Sequence, residues 1–217
     1  PHNADFNGAT QEGVGLYQVT QKAGERFSAA KAYLTPNLGR PNLHVMTGVT
    51  VDRIGLVDGV ARQVHTVQGG QAQTLTARRE IILSAGAFQS PAILMRSGIG
   101  PAAHLQSLGI EVLRDLPGVG ENLHDHPDAV LVADAPDPSA LFGLSLKGVW
   151  KTLSAIFEWR KQRTGPLTTN FAEGGAFYKS TPDAARPDIQ LHFVVAKLVN
   201  HGRKLTLGHG YSVHVCL

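Results

Sequence analysis

The 217 residues carry 20 Lys and Arg against 17 Asp and Glu, a formal net charge of +3, with 42% apolar and 17% charged side chains. A chain of this length buries a sizeable core, as one large domain or two small ones. With no Lys/Arg block the charge argues against a nucleic-acid partner, and no apolar run approaches the ~20 residues of a membrane span. The single cysteine, Cys216, excludes an internal disulfide and fits a reducing, cytoplasmic setting. The chain opens on Pro1 with no charged-then-apolar leader, so the sequence carries no readable address.

Residues 1–41 are irregular and glycine-rich, with a short helix expected from Ser28 to Leu34 before Pro36. Strands follow over Leu43–Val45, Val49–Val57 and Val60–Val67, with Asp58-Gly59 as a tight hairpin turn and Gly69-Gly70 as a second turn. Thr74–Thr76 leads into Ile81–Leu83, which reads as a buried strand stopping at the small residues Ser84, Ala85 and Gly86. Small side chains at a strand end let another backbone or a flat ligand approach closely. In open α/β sheets that edge is where ligands lie. Ser90 is placed as a helix N-cap and Pro91 in the first turn, with Ser97-Gly98-Ile99-Gly100-Pro101 closing the helix. Ala102–Leu108 reads as a helix ending at Gly109, Ile110–Val112 as a short strand, and Leu116–Pro127 as a loop.

Past Pro127 the character changes. Ala133–Ser139 is linker-like, and a domain boundary belongs near it. Leu146, Val149, Trp150, Leu153, Ile156 and Phe157 recur at helical spacing, making Leu146–Arg163 the clearest amphipathic helix, ended by Gly165-Pro166. The plain expectation is that this stripe faces a core while Lys147, Lys151, Arg160, Lys161 and Arg163 are solvated. A basic helix bearing Trp150 and Trp159 also suits anionic lipid. Ile189–Val195 and Tyr211–Val215 are strands.

Four blocks carry a resemblance. They are Gly24–Leu34, Arg40–Val45, the run Gly86-Ala87-Phe88-Gln89-Ser90-Pro91 through Gly98-Ile99-Gly100, and Leu116–Pro127. In wording and order they resemble the glucose–methanol–choline (GMC) oxidoreductases, FAD-dependent alcohol oxidases and dehydrogenases. The resemblance implies an α/β fold: residues 1–128 as the central part of an FAD-binding domain with a β-meander, and 129–217 as part of a substrate domain. It implies oxidation of a CH–OH group with hydride passing to the flavin, a small-molecule alcohol as substrate, and FAD as cofactor. It places the backbone of Val51 against the adenine and Ser84, Ala85 and Gly86 beside the flavin nucleotide. The segment Thr168–Phe177 resembles a wall of the active-site cavity, making Asn170 and Glu173 the substrate-side candidates. The alternative for Glu173 is an exposed loop acid.

Two family features find no match in these residues. Gly98-Ile99-Gly100-Pro101-Ala102-Ala103 has the G-x-G-x-x-A spelling, but it follows a helix and its proline removes a backbone donor. The catalytic pair that the family carries near its C-terminus, a histidine with a second histidine or an asparagine, has no counterpart, so no catalytic residue is assigned. His124-Asp125-His126 invites a metal reading, yet two histidines at i, i+2 diverge and no third ligand is suitably spaced; a hydrogen-bonded turn is the plainer account. No G-x-S-x-G, H-E-x-x-H or C-x-x-C occurs. The competing class is a non-enzymatic folded module that binds a ligand without turnover.

Overall fold

The computed structural model describes residues 1–135, 142–200, 203–204 and 206–217. In chain order its strands are β1 (Gly13–Leu16), β2 (Gln21–Lys22), β3 (Glu25–Arg26), β4 (Val49–Val57), β5 (Val60–Gln68), β6 (Gln71–Thr76), β7 (Ile99–Gly100) and β8 (Arg114–Asp115). They continue with β9 (Asp128–Asp134), β10 (Gly143–Leu144), β11 (Gly174–Tyr178), β12 (Ile189–Val194) and β13 (Gly208–Cys216). The α-helices are α1 (Gly86–Arg96), α2 (Ala102–Ser107) and α3 (Leu146–Gln162). They divide into two compact units, residues 38–125 and residues 1–37 with 126–217. This partition differs from a linear cut at 128/129, because β1 hydrogen-bonds to β11 and so joins the N-terminal residues to the later sheet.

The unit of residues 38–125 is built on the meander β4-β5-β6. Asp58 and Gly59 both have positive φ, 51° and 75°, as a two-residue hairpin turn requires. Gly69 and Gly70 repeat the solution between β5 and β6 at 57° and 81°. The end of α1 is tied to the open edge of β4. Buried Ser97 accepts the Ile54 N–H at 2.8 Å and donates to the Ile93 carbonyl at 2.6 Å. Arg96 donates to the carbonyls of Asp52 and Val51, at 2.7 and 3.3 Å. Ile54, Ile93 and Leu105 are the buried apolar residues here.

Several expected elements of this unit are absent. Ile81–Leu83 forms no strand and pairs with none among the described residues, and Ile82 is 78% exposed. A strand needs a ladder partner as well as apolar side chains. Leu43–Val45 is likewise unpaired. The short strand expected at Ile110–Val112 falls instead at Arg114–Asp115, parallel to β7, because the Leu113 and Arg114 N–H groups both reach the Gly98 carbonyl. In the other unit, the expected helix at Ser28–Leu34 is a single wide turn over Ala30–Leu34.

The second unit is a six-stranded antiparallel sheet, β1-β11-β12-β13-β10, with β9 also on β13. Val14, Ala176, Leu191, Phe193 and Val213 share one face by register, while Gly175, His192, His214 and Val130 share the other. Phe6, Tyr17 and Phe177 interlock, with Phe6 5.4 Å from Tyr17 and 5.0 Å from Phe177 between ring centroids. Ala133 and Asp134 close β9 rather than opening a linker; the rest of that expected linker, Pro136–Ser139, lies outside the described residues.

Helix α3 starts at Ser145, whose Oγ accepts the Gly148 N–H at 3.0 Å. It ends at Arg163, left-handed at φ 58°. The expectation that its apolar stripe faces a core is overturned: its buried residues are Gly148 and Ala155, and Leu146, Trp150 and Phe157 are exposed. Small residues allow the helix to sit close to its neighbours on that side, whatever the large residues opposite prefer.

Candidate functional site

In the unit of residues 38–125, the start of α1 is an exposed stretch of backbone built of small residues. Ser84, Ala85 and Gly86 are all exposed. Gly86 has φ 86°, and a Cβ built on it would have no atom within 4 Å. No acidic side chain lies in the first turn, so the positive end of the helix dipole is left for an outside group.

Ser90 is not the N-cap. Its Oγ accepts the Ala85 N–H at 2.9 Å from inside the helix, and Pro91 is an interior residue. The left-handed freedom of Gly86 lets the chain turn into the helix earlier than the Ser-Pro pair indicates. Val51 is half-buried in β4 opposite Thr66, with its carbonyl taken by Arg96. Arg96 and Gly86 are opposite ends of α1, about 15 Å apart along the helix. Val51 is thus tied to the C-terminal residue of α1, while Ser84–Gly86 lead into its N-terminal end.

A cavity of about 480 Å³ lies against α1, walled by Ala87, Ser90, Pro91 and Leu94 on one side and by Val119–His124 on the other. Its loop wall turns through Gly120 (φ 83°) and Asn122 (φ 56°). It is anchored where the Leu116 N–H meets the Gly100 carbonyl at 2.9 Å. Sequence reasoning gave this loop a structural role and missed it as a cavity wall. The clustered glycines of Leu116–Asn122 were the available signal. Neither Val51 nor Ser84–Gly86 lines this cavity, although Ser84–Gly86 directly precede its helix wall. Among the described residues no group of three or more His, Cys, Asp or Glu is placed to hold a metal ion.

The second unit separates the two substrate-side candidates. Asn170 lines a polar cavity of about 800 Å³ together with Tyr17, Trp159, Thr168, Gln190 and His192. Glu173 does not line it. Its side chain is exposed, and its carbonyl accepts the Tyr17 N–H at 2.8 Å. Tyr17 donates its hydroxyl to the Leu191 carbonyl at 2.6 Å and receives Gln190 at 3.4 Å, and burial pushes its ionisation up. The His192 ring lies tilted against Tyr17, with ring centroids 5.3 Å apart. Burial, the neighbouring His214 and, less strongly, His126 hold its imidazole below the ordinary range, while Asp128 opposes them. His192 thus stands on a cavity wall with its imidazole held below the ordinary range, a residue that the sequence did not single out.

Next to it, Asp128 receives the His214 Nδ1 at 2.7 Å, and burial with Asp128 beside it pushes the Cys216 thiol up. On the opposite face of the sheet lies an apolar cavity of about 850 Å³, lined by Val14, Leu16, Ala176, Leu191, Phe193 and Val213 among others.

Comparison with known proteins places this geometry. The sequence model of the GMC oxidoreductases matches residues 1–128. Over 216 residues the chain is 43% identical to an alcohol dehydrogenase [acceptor] of Pseudomonas putida, covering 99% of this chain and 39% of that protein. It is 39% identical over 218 residues to the mitochondrial choline dehydrogenase of Mus musculus, covering 99% of this chain and 36% of that one. The chain thus spans less than half the length of the curated relatives it matches. Among solved structures, formate oxidase superposes with a TM-score of 0.84 at 24% identity, over 100% of this chain and 42% of that one. Pyridoxine 4-oxidase from Mesorbium loti superposes with a TM-score of 0.73 at 29% identity, over 100% and 38%.

Proposed function

Because the chain belongs to the GMC oxidoreductase family, we propose that it forms part of an FAD-dependent enzyme oxidising the CH–OH group of a small-molecule alcohol. The flavin, when bound, accepts the hydride, and the protein supplies placement. In this reading Val51 and Ser84–Gly86 lie along the cofactor, Asn170 and Glu173 on the substrate side, and no catalytic base belongs to these 217 residues. The chain's own task is to hold and shape. The Arg96 contacts fix the Val51 backbone, and the tie from Ser97 to Ile54 fixes where α1 runs.

The observation that carries the reading is the start of α1. Exposed small residues, a left-handed glycine with open space beside it and an uncompensated helix N-terminus suit a flat, anionic nucleotide. The test is Gly86→Val in the whole enzyme. The left-handed backbone alone costs a branched residue about 1–2 kcal/mol, so Ala85→Val, where φ is −87°, serves as the partner variant without that strain. Both should lower the flavin-to-protein ratio of a folded preparation, while Glu173→Ala leaves it unchanged. Full flavin occupancy in Ala85→Val would mean that the start of α1 does not lie beside the cofactor.

A further inference from the structure

Helix α3 presents its large apolar residues to the outside. Gly148 and Ala155 are buried, with Lys151, Glu158 and Trp159 half-buried around them. At 3.6 residues per turn, the opposite side carries Leu146, Val149, Trp150, Leu153, Ile156 and Phe157. Leu146 is 85% exposed, Trp150 74% and Phe157 73%.

The helix is held in this orientation. Ser145 caps it and is hydrogen-bonded to His209 Nε2 at 2.6 Å. Trp159 Nε1 donates to the Gly24 carbonyl at 2.8 Å, and Arg163 pairs with Glu25 at 3.0 Å while lying 4.0 Å over the Trp159 ring. Rolling the apolar stripe inward would break these ties.

The charge around the stripe selects what can cover it. Lys147, Arg160 and Lys161 are exposed. At 3.6 residues per turn Lys161 borders the stripe and Arg160 projects within it between Val149 and Leu153, while Lys147 lies off it beside the helix's one acid, half-buried Glu158. The outward half therefore combines apolar bulk with cations and no carboxylate. The apolar face of the sheet differs: its cavity is lined by no Lys or Arg.

We propose that α3 docks on the surface of an anionic lipid bilayer. The helix lies in the interfacial plane, with Leu146, Val149, Leu153 and Phe157 in the acyl boundary and Trp150 at head-group level. Arg160 and Lys161 face the lipid phosphates. At 17 residues it is about 25 Å long, and no helix among the described residues is long and apolar enough to cross a membrane. The contact is thus one of lying on the bilayer.

The test is co-sedimentation of the whole enzyme, of which these residues are part, with phosphatidylglycerol–phosphatidylcholine vesicles and with phosphatidylcholine vesicles, alongside circular dichroism to show that each variant is folded. The enzyme should bind the anionic vesicles and release with salt. The double variant Trp150→Ser/Phe157→Ser should lose binding. Arg160→Gln/Lys161→Gln, which leaves every apolar contact in place, should bind roughly thirtyfold more weakly, since two cations are withdrawn from an anionic surface. Failure of the folded enzyme to bind anionic vesicles overturns the proposal, as does equal binding to both vesicle types or undiminished binding by the Trp150→Ser/Phe157→Ser enzyme. A dimer dissolved by that same double variant, without vesicle binding, would assign the face to a second copy instead.

Discussion

Ser97 shows how one polar atom can hold two elements together. It is 4% exposed, and its hydroxyl is both acceptor for Ile54 and donor to Ile93. Ser97→Ala would leave the Ile54 N–H buried and unpaired, which costs about 1–3 kcal/mol. Urea unfolding should show that loss, whereas Ser107→Ala, removing an exposed bond within α2, should change the midpoint little. His192 is the residue through which pH should act. It faces the tilted ring of Tyr17, lies directly across from His214 in the pairing of β12 with β13, and feels Asp128 and His126. Its imidazole is held below the ordinary value in the fold, so between the folded value and the unfolded value of about 6.5 the unfolded chain binds more protons. Stability from this group is therefore fully present above about pH 6.5 and is lost as pH falls toward the folded value. His192→Gln should flatten that acid-side slope in unfolding curves taken across this range. An unchanged slope would place the acid sensitivity elsewhere.

At the scale of elements, what the sequence makes legible depends on whether the signal is local. The β4-β5-β6 meander announces itself, because Asp58-Gly59 and Gly69-Gly70 supply the left-handed positions their turns demand within two residues. Ile81–Leu83 looked equally clear and is unpaired, because apolar β-branched residues report a preference for burial and say nothing of a partner strand. The start of α1 was misplaced for a related reason: Ser90-Pro91 is a good cap pair, but Gly86 with φ 86° offers an earlier entry. In α3 the spacing of apolar residues gave the helix correctly and gave nothing about which way the stripe points. That direction is set by Gly148 and Ala155 and by the long-range bond from Trp159 to Gly24. The candidate site divides the same way. Gly86 could be read from its small neighbours, while His192 and the Val119–His124 wall needed the fold to bring distant residues beside their cavities.

At the scale of the whole molecule, the sheet and the meander each hold together through their own ladders, but the chemistry of the family asks for more than these ladders supply. The Gly69-Gly70 turn after β5 leads into another strand rather than into a helix whose N-terminus could receive a pyrophosphate, and the residues here span 39% of the Pseudomonas putida relative. Large apolar side chains stand exposed on both units, Leu16 at 75% and Ile82 at 78% among them. Substrate-side and cofactor-side candidates are present, yet none is a base placed to take a hydroxyl proton in the manner of general-base catalysis. The 217-residue chain by itself should therefore fold its sheet and meander but fail to oxidise alcohols. With FAD added, dye-linked turnover on a panel of primary and secondary alcohols should remain at the blank, even in preparations whose circular dichroism shows the expected strands. Sustained turnover by this chain alone would mean that a base and a cofactor seat lie among these residues after all. His192, on a polar cavity wall with its imidazole held below the ordinary range, would then be the first to replace.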